Sequence, residues 1–240
     1  MSEFDIAKPH EYDHSHADVA SGWLRASVFG AMDGLVSNVG LIAGIAAAGA
    51  PTGVVALTGV SGLIAGAISM ALGEFTSVRT ANEQLDAEVS VEREAHARNP
   101  EGEQAELAAL FGRLGMHEGT ANAAAEQVHT NSEKAIRVHL AHELGLSPEE
   151  KPSPLVAAVS SFISFSIGAI IPVLPFLLGF GDLWWGLAFG GAGLLIAGGT
   201  AAGITRRSWI KGSLRQLVFG AVAVAATYTI GMLLGVSEFS

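Results

Sequence analysis

The stretch ASVFGAMDGLVSNVGLIAGIAAAGAPTGVVALTGVSGLIAGAISMALGE, Ala26–Glu74, carries a single charged residue, Asp33, ahead of its terminal glutamate. From Ala26 to Gly73 the run is 48 residues long, enough for two bilayer-spanning helices at roughly 20 residues each. Gly49-Ala50-Pro51-Thr52-Gly53 supplies the turn that divides it. A carboxylate at membrane depth is expensive unless it pairs, coordinates a cation or faces water, so Asp33 is a candidate functional group. The alternative is a packing role, with Asp33 hydrogen-bonded to neighbouring helices.

Outward from this run, the rest of the chain repeats its character. Leu155–Gly181, Leu183–Thr205 and Gln216–Ser237 contain no Asp, Glu, Lys or Arg, which brings the expected spans to five. The composition agrees, at 50% hydrophobic and only 15% charged. The first twenty residues are polar and acidic, and no cleavable signal peptide is expected. With no cysteine, the chain has no disulfide, thiolate metal site, iron–sulfur cluster or cysteine nucleophile.

Basic residues set the expected orientation. Arg25 precedes span 1, Arg79 follows span 2, Lys151 precedes span 3, and Arg206, Arg207, Lys211 and Arg215 lie between the apolar runs of spans 4 and 5. The connections Ala48–Thr52 and Gly179–Trp185 carry no base and only Asp182. The N-terminus and the long central segment are therefore expected in the cytoplasm, with the C-terminus on the far side. A prokaryotic plasma (inner) membrane is the expected host.

The net charge of −10 comes largely from the central segment, where fourteen acids between Thr80 and Glu150 face five bases and five histidines. Such a surface repels nucleic acid and anionic lipid head groups and suits cations. Helix is predicted to continue past span 2 to about Arg98, with a turn at Asn99-Pro100-Glu101-Gly102. Leu107, Leu110, Phe111 and Leu114 form the apolar stripe of a helix over Glu103–Leu114. Further helices are predicted over Thr120–Thr130 and Ser132–Leu144, stopped by Gly145. The expected fold is an all-α membrane protein: five transmembrane helices plus a cytoplasmic helical metal-binding domain inserted between helices 2 and 3. Its parts are a disordered His/acidic tail (1–22), transmembrane helices 1 and 2 (23–79), the cytoplasmic acidic and histidine domain (80–151) and transmembrane helices 3–5 (152–240). Pro172 and Pro175 are expected to kink span 3. Pairs such as Gly30-x3-Gly34, Gly40-x3-Gly44 and Gly62-x3-Gly66 allow close backbone approach, within the chain or between copies.

Three constellations carry chemistry. Asp33, Asn38, Met70 and Glu74 fall in the same half of two antiparallel spans, since Asp33 lies seven residues into span 1 and Met70 four from the end of span 2. A carboxylate with a thioether suits a borderline cation such as Fe²⁺ better than Ca²⁺ or Mg²⁺, although methionine also serves as an ordinary gap-filler. Second, the pairs Glu103/Glu106, Glu88/Glu92 and His139/Glu143 each share a helix face. Folded back to back, they could converge on a divalent cation; a solvated charged surface is the competing reading. Glu126-x2-His129 echoes a di-iron motif, but that bundle needs two such motifs, and it is discounted. Third, His10-Glu11-Tyr12-Asp13-His14-Ser15-His16 reads as a solvated tail or a loose metal trap. No phosphate loop, nucleophile–base pair or dinucleotide fingerprint is present, so no enzyme activity and no permanent cofactor is expected.

Asp33-Gly34-Leu35-Val36-Ser37-Asn38, Ser69-Met70-Ala71-Leu72-Gly73-Glu74-Phe75, and Pro152-Ser153-Pro154 leading into Ser164-Phe165-Ser166-Ile167-Gly168-Ala169 resemble the vacuolar iron transporter family, over nearly the whole chain from Gly22. The resemblance implies a homodimer with the ion path at its interface, lined by span 1, with Asp33 and Met70 as ligands. It also implies a cytoplasmic metal-gathering domain using Glu92, Glu103, Glu106 and Glu143. Ala95 stands where the family usually has a further glutamate, and His139 where it often has methionine. Imidazole still ligates Fe²⁺, but it hardens the site and ties binding to histidine protonation. The expected function is export of Fe²⁺, with Mn²⁺ alongside it, from the cytoplasm in exchange for protons, by way of Glu74, Met70 and Asp33. The alternative is a membrane-anchored metal sensor or buffer without transport.

Overall fold

The computed structural model describes residues 22–143 and 151–238, the side chains of Glu143 and of residues 236–238 excepted. The N-terminal tail with its histidines, and the Gly145 helix stop, lie outside the described residues. Those described form eight helices: α1 (Gly22–Ala47), α2 (Thr52–Arg98), α3 (Pro100–Arg113), α4 (Glu118–His129), α5 (Ser132–Glu143), α6 (Pro154–Leu177), α7 (Leu183–Ile204) and α8 (Trp209–Glu238). Five of them, α1, α2, α6, α7 and α8, are long and apolar enough to cross a membrane.

The apolar bundle is organised around α1, which packs against α2, α6, α7 and α8. Small residues decide its two closest partners. Gly30 and Gly34 face Ser161, Phe165 and Ala169 of α6, while Gly40 and Gly44 face Ala223 and Thr227 of α8. The contacts ascend together along both chains, so α1, α6 and α8 run parallel. Gly59 faces Ile42 and Gly62 faces Asn38 and Leu41, a descending order that makes α2 antiparallel to α1. These glycine pairs are thus used within the chain, where removal of a side chain lets two backbones touch.

Asn38 ties the bundle across three helices. It is 2% exposed, and its Nδ2 donates to the carbonyls of Gly59 in α2 at 3.1 Å and Ala169 in α6 at 2.7 Å. Thr227 brings in a fourth helix, α8, its hydroxyl donating to the Gly40 carbonyl at 2.6 Å. α6 runs unbroken through the buried Pro172 and Pro175. Neither proline can donate, so the carbonyls of Gly168 and Ile171, one turn earlier, have no partner in the helical ladder.

α2 is a single helix of 47 residues, about 70 Å long at 1.5 Å per residue. The bilayer core takes roughly 30 Å of that, so its polar half projects beyond the apolar bundle without a break at the expected boundary near Arg79. Asn99 then reverses the chain: it caps the end of α2, and its Oδ1 accepts from Gly102 N at 3.1 Å to begin α3 at Pro100. α3 packs on α4, and α5 returns alongside α2. Leu107, Ala108, Phe111, Ala121 and Ala125 form the small core of this unit. Arg93 to Glu133 at 3.2 Å joins α2 to α5. The return to the bundle is held to α2 by the Lys151–Asp86 ion pair and by Asn82 donating to the Pro152 carbonyl at 3.0 Å.

The last helix begins earlier than the charge-free run suggests. α8 starts at Trp209, so Lys211 and Arg215 lie inside it and only Thr205–Ser208 connect it to α7. Long basic side chains at a helix end can reach the interface while their stems lie along apolar surface, which lets the helix start inside a charged segment.

Adding a side chain to the α1–α6 seam tests its tightness. A Cβ at Gly34 would stand 2.9 Å from Ala169 N, and Gly34→Val is expected to cost about 1–3 kcal/mol through overpacking. It should lower the temperature at which the detergent-solubilised protein loses its monodisperse elution peak; an unchanged temperature would refute the seam. Asn38→Leu removes both ties at that level, with an expected loss on the order of 1–2 kcal/mol, read by the same assay.

Candidate metal-binding sites

Between α1 and α2 lies a cavity of about 460 Å³. Asp33, Ser37 and Asn38 line it from α1, and Ser69, Met70 and Glu74 from α2, while Phe165 of α6 lies behind. Asp33 occupies a middle position between burial and exposure. The two helices are antiparallel, which brings residues separated by about forty positions in sequence to one level. All four members of the first constellation therefore share one wall-to-wall space. Met70 also packs against the Ala67–Phe165–Ala169 cluster, so its thioether belongs to the core as well as to the cavity.

Two features of this cavity were not read from the sequence. Glu74, whose side chain is 11% exposed, accepts from the Arg25 guanidinium at 2.6 Å. The sequence reading used Arg25 only to orient span 1, although Arg25 and Glu74 bracket the same ends of paired helices. A cation approaching Asp33 by way of Glu74 must displace this guanidinium or pass beside it. Second, Asn38 spends both its N–H donors on backbone carbonyls, leaving its buried Oδ1 with no hydrogen-bond partner. An amide oxygen fixed in this way is a hard, neutral ligand. The cavity's donors are thus two carboxylates, one amide oxygen, hydroxyls and a thioether.

A second group forms where α2, α3, α4 and α5 converge. Glu92 and His96 come from α2, Glu103 from α3, His129 from α4 and His139 from α5. His139 and His96 are buried, at 1% and 7% exposure. One ligand atom from each of Glu92, His96, Glu103 and His139 lies within 4.8 Å of the others, and the same holds for His96, His129 and His139. Glu92 Oε1 stands 3.5 Å from His96 Nε2 and 3.6 Å from His139 Nδ1, and Glu103 Oε2 stands 4.0 Å from that same Nδ1. A mixed carboxylate and imidazole set of this kind suits a borderline divalent cation.

The structure thus gathers Glu92, Glu103 and His139 at one point and leaves Glu106 exposed on α3, outside that group. Glu143 ends α5, and its side chain lies outside the described residues. His96 and His129 join the group without having been singled out. The Glu92/His96 pair, four apart on one helix, offered a signal for His96. His129 was visible only within the discounted Glu126-x2-His129 pair, whose two members part company: Glu126 is exposed beside Glu101 and Asn122.

The VIT family model matches residues 24–232. The chain is similar to the vacuolar iron transporter of Acanthamoeba castellanii, 33% identical over 92% of this chain and 83% of that one. It is similar also to vacuolar iron transporter homolog 3 of Arabidopsis thaliana, 31% identical over 96% and 92%, and to vacuolar iron transporter 1 of Tulipa gesneriana, 25% identical over 95% and 93%. The match takes in all five apolar helices and the helices between α2 and α6, and this integral membrane protein belongs to the VIT family.

Proposed function

We propose that the protein exports Fe²⁺, with Mn²⁺ as a second substrate, from the cytoplasm in exchange for protons. The observation that carries this reading is Asp33, set within a membrane-length helix and lining one cavity with Asn38, Met70 and Glu74. A bare carboxylate at that depth is expensive. An aspartate that trades a divalent cation for a proton is never left charged and unaccompanied, which is the physical motive for antiport. The relatives named vacuolar iron transporters support iron as the cargo. The basic residues at the ends of α1, α6 and α8 support an orientation with the α2–α5 extension in the cytoplasm.

The extension would gather cations ahead of translocation, holding them with Glu92, Glu103 and His139 and releasing them toward Glu74. A second copy of the chain would complete the path. The outer face of α2 beside the cavity is apolar and exposed at Leu57, Ile64, Ile68 and Leu72, and Phe29 of α1 is 60% exposed at its rim. A partner α1–α2 pair set against this face would close the cavity from the lipid.

Proteoliposomes with an internal pH dye test the scheme directly. Fe²⁺ flux coupled to opposite proton movement is expected for the wild type and should vanish in Asp33→Ala, with the elution profile retained. Flux unchanged by Asp33→Ala would defeat the mechanism, while metal binding without flux in the wild type would identify a membrane-anchored sensor or buffer. A second comparison uses the divergent placement of two glutamates. Glu103→Gln should lower flux several-fold at limiting metal, and Glu106→Gln should leave it near wild type; equal effects would mean that a charged surface, not the cluster, attracts the ion.

A further inference from the structure

The end of the bundle that carries Arg25 also carries the N-terminus of α8, since α1 and α8 run parallel. Four cations meet there: Arg206 and Arg207 in the connection from α7, and Lys211 and Arg215 inside α8. No acid stands between Leu183 and Ser237. Among the described residues, Arg207, Lys211 and Arg215 take part in no ion pair. Lys211 and Arg215 are four apart and share one face of α8, where like charges repel. Membrane orientation asks only for basic residues near the connection. It does not ask for two of them on one face inside a membrane-length helix.

A cavity of about 400 Å³ opens where α7 and α8 cross, lined by Thr205, Arg207, Ser208, Lys211 and Arg215. The crossing is tight: a Cβ at Gly212 would stand 2.5 Å from the Gly198 carbonyl oxygen, and the Trp209 indole lies over Gly199. The turn is fixed by its own backbone. The Arg206 N–H donates to the Gly203 carbonyl at 3.1 Å, and the Arg207 N–H to the Ala202 carbonyl at 2.8 Å. The Thr205 hydroxyl is committed to the Ala201 carbonyl at 3.1 Å. Three cations and the Ser208 hydroxyl remain to face the cavity, a donor set for an anion.

We propose that Arg207, Lys211 and Arg215 hold the phosphate of an anionic phospholipid headgroup at the α7–α8 crossing. Basic pockets between membrane helices take headgroup phosphates, and a guanidinium fork matches the oxygens of a phosphate. The neighbouring face of α8 points to a lipid as the source of that phosphate. Ile210, Leu214 and Val218 are exposed at four-residue intervals, a row that runs into the span beside the row of Lys211 and Arg215. An acyl chain laid along it leaves its phosphate at the level of the cations. The exposed Trp209 marks the same level, since tryptophan gathers at the membrane–water interface. A bound headgroup also relieves the repulsion between Lys211 and Arg215. The inference is independent of the cargo and of translocation.

The test uses delipidated full-length protein in a neutral detergent, titrated with phosphatidylglycerol or phosphatidylcholine and read by native mass spectrometry. The wild type should bind phosphatidylglycerol tighter than phosphatidylcholine by on the order of 100-fold. Lys211→Gln should weaken phosphatidylglycerol roughly fivefold. Arg79→Gln removes an exposed cation already paired with Glu83 and should weaken it by less than about twofold. Equal binding of the two lipids by the wild type, a measurement that needs no variant, would overturn the proposal. Equal losses in the two variants would overturn it too, because the lipid would then answer to interfacial charge at large. Inorganic phosphate at the same concentration should leave the bound lipid in place. Its displacing the lipid would overturn a headgroup site in favour of a soluble phosphate ligand.

Discussion

The close approach of α1 to its neighbours is the constraint on which the rest of the bundle depends. Apolar helices in lipid gain nothing from hydrophobic contact with one another, so they must be held by packing and polar ties. Here Gly30 and Gly34 let α1 touch α6, Gly40 and Gly44 let it touch α8, and Asn38 bonds to α2 and α6 at once. With α6, α7 and α8 already set against α1, the cavity opens on its α2 side. Asp33 and the Asn38 amide oxygen thereby share one cavity with Met70 and Glu74. A looser α1–α6 contact would leave the same residues on the helix without the space between them.

Much of this was legible in the sequence because the signals were long or local. Apolar runs with no charge but Asp33 anticipated the five membrane-length helices, and the absence of Gly or Pro between Phe75 and Arg98 anticipated that α2 continues. Asn99-Pro100 marked the reversal through capping chemistry. Asp33 and Met70 could be set at one level by counting residues along antiparallel helices. The start of α8 was not legible, since charge-free composition marks where a helix is buried in lipid and not where its hydrogen bonds begin. Lys211 and Arg215 therefore read as connection when they are helix.

The meeting of His96, His129 and His139 was hidden for a different reason. These residues are separated by 33 and 10 positions on three helices, and no period links them. Their convergence depends on the angle at Asn99, on the α3–α4 contact and on the return of α5 along α2, none of which leaves a local trace. The same holds for Arg25 and Glu74. Each was visible as a charge at the end of a span, but an ion pair between helices is a property of their rotation, which apolar runs do not fix.

The two groups differ in donor chemistry, and the difference follows from where each sits. Between the membrane-length helices α1 and α2 the donors are oxygens with a single thioether, and Glu74 is already shared with Arg25. Where α2, α3, α4 and α5 converge, the buried His96 and His139 and the partly buried His129 meet two carboxylates, a set rich in nitrogen. α2 carries members of both: Glu74 and Glu92 are 18 residues apart on one unbroken helix, about 27 Å at 1.5 Å per residue. Side chains so far apart cannot share one ion, so the two groups are separate, with Glu83 and Glu88 on the helix between them. A stiff spacer of this length holds the two groups of side chains apart, with an acidic surface between them.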